Sequence, residues 1–112
     1  MINAESISEI LSVYKKHGWV LRRVLLSDAL GKMLQPHLGG LFPGITPSRS
    51  LLEGLWFSRP SKGTLEAWEL RHLSTSPYAL VEVIEAGTDE KIREDILKDI
   101  ESRMQSALNR KK

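Results

Sequence analysis

Three glutamates, Glu53, Glu69 and Glu82, fall in segments rich in β-formers, and Arg71 stands two residues after Glu69. Side chains two apart on a strand share a face, so Glu69 and Arg71 should project together. Carboxylates in a row across neighbouring strands form the oxygen set that a hard cation such as Mg²⁺ accepts. An acidic pair followed by a cation is also the layout of a metal-dependent nuclease. Two features depart from that layout: the first position is Glu53 rather than an aspartate, and Arg71 stands where a lysine would act. A guanidinium does not give up its proton near neutral pH. The same residues form an Arg–Glu network at a sheet surface or interface equally well, and that reading is preferred, with no metal and no cofactor.

Other chemistries are less supported. Lys15, Lys16, Arg22, Arg23, Arg49, Arg59 and Lys62 lie in the basic half, with Trp19, Trp56 and Phe57 nearby. Cations beside aromatics suit phosphate contact and base stacking, which makes a nucleic-acid module an alternative. Against it, the tryptophans alternate into what reads as core. His17, His37 and His72 lie on separate elements and lack the spacing of a metal-ligand pair. The glycines of 39–44 are not followed by the Lys-Ser/Thr of a phosphate-binding loop, and no nucleophile-elbow or zinc-helix motif is present. With no cysteine, thiolate chemistry and disulfides are excluded.

The 112 residues suit one domain, 1–112, with a modest core. Net charge is +2, too small to announce a polyanionic partner, but it is uneven: residues 1–62 carry 8 basic and 4 acidic side chains, residues 63–112 carry 8 and 10. Attraction between halves or between subunits accounts for that asymmetry as well as a ligand does. No apolar stretch approaches the ~20 residues that span a bilayer, and the first residues do not read as a signal peptide, so a soluble, cytoplasmic protein without a membrane partner is expected.

The elements that would position these groups are readable. Ser6 and Glu9 have capping-box spacing, and Ile7, Ile10, Leu11 and Tyr14 then line one helical face, stopped by Gly18. A first strand is expected over 19–26, where the adjacent Arg22 and Arg23 should point to opposite faces. Ser27 can cap a short helix over 28–35 that ends at Pro36. Three glycines and two prolines in 38–48 argue against a regular element there, so 27–50 reads as an irregular segment of the kind that is functional or mobile. Strands over 51–58, 64–73 and 78–85 follow. Thr88 then caps a long helix whose apolar stripe runs from Ile92 through Leu97, Ile100 and Met104 to Leu108, with Arg110, Lys111 and Lys112 at its end.

The expected fold is α+β: an N-terminal helix, a four-stranded, mainly antiparallel meander, and a long C-terminal helix packed on one sheet face. Centring the hairpin loops pairs Trp56 with Glu66, Glu53 with Glu69, Trp68 with Val83 and Glu69 with Glu82, and lays Trp68 over Gly54. One face then carries Leu52, Trp56, Trp68, Leu70, Val81 and Val83. The other mixes apolar residues with the glutamate row and Arg71, and is too apolar to face water alone. Either the 27–50 segment covers it or it meets another chain. The best functional reading is a non-enzymatic module that binds another protein or self-associates as a homo-oligomer. Its interaction face comprises Glu53, Glu69, Arg71, Glu82, Arg22, Arg23, Phe57 and Tyr78, or else the C-terminal helix takes that role.

Overall fold

The computed structural model describes residues 2–110. Helix α1 (Ala4–Lys16) opens three residues earlier than the Ser6 cap implies: Asn3 is the N-cap, its side chain accepting from the Ser6 N–H while the Ser6 hydroxyl accepts from the Asn3 N–H. Asparagine caps as well as serine does, so the box shifts by one repeat without losing its logic. Gly18 ends the approach to strand β1 (Val20–Leu26) at φ +84°. Helix α2 (Asp28–Leu34) starts on the Ser27 hydroxyl as expected.

The stretch expected to be irregular is more ordered than its glycines suggest. A 3-10 turn (Gln35–His37) and a single helical turn α3 (Leu38–Leu41) follow α2, and a two-residue strand β2 (Ser48–Arg49) pairs parallel to β1. Leu30, Leu34 and Phe42 anchor this segment in a core, and their burial outweighs weak local propensity. Strands β3 (Gly54–Pro60), β4 (Leu65–His72) and β5 (Ala79–Glu85) complete a mixed five-stranded sheet of order β2-β1-β3-β4-β5. The four long strands form the expected antiparallel meander; β2 is the addition.

Helix α4 (Glu90–Arg110) closes the chain. Its cap is Asp89 rather than Thr88: the Asp89 carboxylate accepts from the Lys91 N–H. Lys111 and Lys112, expected to complete its basic end, lie outside the described residues.

The sheet separates two cores. On one face α1 and the 28–45 segment pack through Ile7, Leu30, Leu34 and Phe42 onto Val24, Leu26, Leu55 and Phe57. On the other, α4 packs through Leu97, Ile100 and Met104 onto Leu25, Trp56, Trp68, Leu70 and Ile84. The mixed face thus finds its cover within the chain, over β1, β3 and part of β4.

Strand register corrects several expectations. Trp56 pairs with Leu70, and Phe57 rather than Glu53 with Glu69. Gly54 lies opposite His72, and it is Leu70, not Trp68, that fills the space a Cβ would take: its Cδ1 would sit 3.0 Å from that atom. Trp68 pairs with Glu82, not Val83, a one-residue slip that turns Glu82 to the α4 side and Val81 and Val83 to the α1 side. Finally, the β1–β3 register shifts between Leu21 and Arg23, so that Arg22 and Arg23 do not split across the sheet. Such a bulge places two residues opposite one. Arg22 lies over the Trp68 ring and Arg23 pairs with Glu94 of α4, both on the α4 face.

Candidate functional site

The eight residues expected on one interaction face divide between two. Glu53, Phe57, Glu69 and Arg71 belong to the α1 side; Arg22, Arg23, Tyr78 and Glu82 belong to the α4 side. On the α4 side Arg23 donates from both terminal nitrogens to the Glu94 carboxylate, and Glu82 lies 3.6 Å from Arg103. That two-point contact holds the Glu94 carboxyl below its usual range. Trp68 has guanidinium carbons on its ring from two elements, Arg22 at 5.3 Å and Arg93 at 5.7 Å. Tyr78 packs against the same core. These contacts tie α4 to the sheet.

On the α1 side the carboxylates are separated. The Ser27 hydroxyl donates to Glu53, and the Tyr14 hydroxyl donates to Glu69. Glu53 sits beside Leu73, whose N–H donates to its carbonyl, just past the end of β4 and four residues beyond Glu69. No group of three or more His, Cys, Asp or Glu side chains converges among the described residues. His72 is also set apart, its pKa lowered chiefly by burial against the opposing pull of Glu53.

What does converge is a groove of about 620 Å³ between α1 and the start of the β4–β5 connection. Tyr14 comes from the end of α1, Trp19 from the connection to β1, Glu69 and Arg71 from β4, Ser74 and Thr75 from the loop. Tyr14 is the organising residue. Its ring stacks on Phe57 with centroids 4.0 Å apart and planes 9° from parallel, and its hydroxyl reaches Glu69, the cross-strand partner of Phe57. One strand pair therefore receives both ends of the tyrosine. Arg59 fastens the neighbouring turn: its guanidinium lies 4.5 Å from the Trp19 ring centroid and donates to the His17 carbonyl. In the sequence Tyr14 is one of four apolar-face positions in α1, and nothing marks it as the partner of a glutamate 55 residues away.

Burial raises the Tyr14 pKa well above the ordinary phenol value of 10.0, and the adjacent Glu69 carboxylate raises it further. The folded chain therefore keeps this proton at a pH where the unfolded chain has lost it. The resulting stabilisation is complete below pH 10.0 and is lost as pH climbs toward the folded value. Urea unfolding from neutral to alkaline pH is expected to show wild type losing more stability above that point than Tyr14→Phe does. Parallel curves would contradict this.

The β5 side of the same sheet face is uncovered. Val81 is 54% and Val83 46% exposed, and no β5 residue enters the α1-side core. No helix among the described residues is long and apolar enough to cross a membrane. Compared with protein-family models, curated proteins and solved structures, the chain has no match.

Proposed function

We propose that this domain is a non-enzymatic interaction module that self-associates edge to edge along β5. The observation that carries the reading is the unpaired edge of that strand. The His72 N–H donates to the Tyr78 carbonyl and the Ala86 N–H to the Thr64 carbonyl, so even-numbered residues of 78–86 bond inward to β4. The backbone groups of Ala79, Val81, Val83 and Glu85 consequently point to the open edge. The seven-residue strand has regular register, no proline, no lysine and no bulge, and its charges are limited to Glu82 and Glu85. The opposite edge, β2, is only two residues long.

The strand is also self-complementary. An antiparallel pair of β5 strands related by a two-fold axis at Val81 sets Val81 against Val81 and Ala79 against Val83. Glu82 then falls opposite Leu80, and Tyr78 opposite Ile84. Shifting the axis to Glu82 would oppose like charges, which disfavours pairing. The two copies would form one continuous sheet, with both α4 helices on the same side.

Sedimentation of wild type and Val81→Lys tests this. Wild type is expected to dimerise, and a lysine at the dyad to leave a monomer with unchanged far-ultraviolet dichroism. Surface substitutions of this kind change monomer stability by only about 0.5 kcal/mol. A wild-type monomer at every concentration, or a dimer indifferent to Val81→Lys, would defeat the proposal.

The other readings have less behind them. A nuclease using Glu53 and Glu69 would need those carboxylates together, and each is instead engaged by a different hydroxyl. Base stacking would need free rings, yet Trp56, Phe57 and Trp68 are buried and Trp19 is faced by Arg59.

A further inference from the structure

Arg71 is only 9% exposed, and among the described residues no carboxylate forms an ion pair with it. Its NH1 donates to the carbonyl of His72, a neutral acceptor. The carboxylate best placed by sequence, Glu69, is on the same face but is engaged by Tyr14. A buried guanidinium is costly to desolvate unless a counter-charge accompanies it. The partner its planar fork fits best is a carboxylate, which it grips through two parallel hydrogen bonds.

Arg71 also lines the α1 groove, whose volume of about 620 Å³ falls within the range of roughly 300–1,000 Å³ typical of small-molecule sites. Ile10, Val13 and Trp19 supply apolar wall. Glu9 and Glu69 line the groove too, so a second negative charge on a ligand would be repelled. We propose that this groove binds a small apolar monocarboxylate, its carboxylate on the Arg71 guanidinium and its tail along Ile10, Val13 and Trp19. The inference is independent of the β5 edge, because Ala79, Val81 and Val83 are not part of the groove.

The test is a proton–nitrogen NMR titration of the full chain with octanoate, octanol and octanedioate, read at the arginine Nε–H and tryptophan indole signals. Octanoate is expected to shift the Arg71 and Trp19 signals saturably. A charge-assisted hydrogen bond contributes about 1.5–3 kcal/mol, so octanol should bind about 10- to 150-fold more weakly. Octanedioate should also be weaker than octanoate. Arg71→Gln should reduce octanoate to the affinity of octanol or below it, because Glu9 and Glu69 then face the carboxylate uncompensated. Because Arg71 is buried, a second variant guards against loss of folding: Val13→Glu, at an exposed wall position, should weaken octanoate more than octanol, since both lose an apolar contact and only octanoate meets the added charge. The proposal is overturned if octanoate gives no saturable shift below its micelle limit, if octanol binds as tightly, or if Val13→Glu leaves octanoate affinity unchanged.

Discussion

Replacing Trp56 by alanine is expected to destabilise the domain by about 3–5 kcal/mol, the range for emptying a buried aromatic site. Trp56 is fully buried, meets Trp68 edge to face at 6.3 Å, and lies in the core that α4 closes through Leu97, Ile100 and Met104. Truncation leaves a void between sheet and helix, where rigid strands on one side limit collapse. It also removes the indole N–H that donates to Glu101 at 2.8 Å. Native domains are stable by only about 5–15 kcal/mol, so one residue carries a large share. Trp56→Phe keeps most of the ring and should cost less, about 1–3 kcal/mol, mostly through the lost bond to a charged acceptor. A double-mutant cycle with Glu101→Ala separates the two contributions. Coupling of about 0.5–3 kcal/mol is expected in urea melts. Strict additivity would mean that the hydrogen bond adds nothing to the packing.

The Trp56 environment also shows what can be read from sequence. The stripe in α4 correctly marks Leu97, Ile100 and Met104 as core, because a 3.6-residue period is a property of the local chain. It overextends at Ile92, which is 56% exposed, while its neighbours Arg93 and Glu94 are the residues that reach Trp68 and Arg23 of the sheet. The β3–β4 hairpin keeps the expected faces although its turn lies two residues further along, near Gly63 at φ +63°; a shift of that parity leaves the strand alternation intact.

The β4–β5 pair is different. Its actual centre lies at Thr75, half a residue from the expected one, and that small change exchanges the faces. Nothing in β5 forbids either choice: Ala79, Val81 and Val83 on one side and Leu80 and Ile84 on the other are both apolar sets. In the fold Glu82 lies 3.6 Å from Arg103 of α4, a neighbour that no local pattern in β5 reveals. The arginine pair is hidden for a related reason. Strand alternation splits Arg22 and Arg23 unless a bulge intervenes, and the bulge is favoured by partners from elsewhere in the fold, Trp68 and Glu94. The groove escapes a linear reading in the same way, since Tyr14 and Arg71 become neighbours only after α1 is laid across the sheet. The glutamates were identifiable as unusual strand residues; which of them would meet a tyrosine, a serine or an arginine was a tertiary property.

Phe57→Ala is expected to have the second large effect, again about 3–5 kcal/mol, and to reach the groove as well as the core. Phe57 is 1% exposed and forms the platform on which the Tyr14 ring lies. Without that platform the ring loses its stacked partner and half of what orients its hydroxyl toward Glu69. The gentler Phe57→Leu retains apolar volume and is expected to cost about 1.5 kcal/mol or less, which leaves a folded protein for spectroscopy. In that variant the tyrosinate absorbance band should reveal Tyr14 titrating closer to the ordinary phenol value of 10.0 than in wild type. A looser ring is better hydrated and less constantly hydrogen-bonded, and both changes favour the phenolate. Glu69, released for part of the time, can then approach Arg71 on the same strand face, so the groove should lose octanoate affinity without any substitution in its lining. If Phe57→Leu leaves both the Tyr14 titration and the Arg71 Nε–H signal unchanged, the stacked pair is core packing alone and does not hold Glu69 away from Arg71.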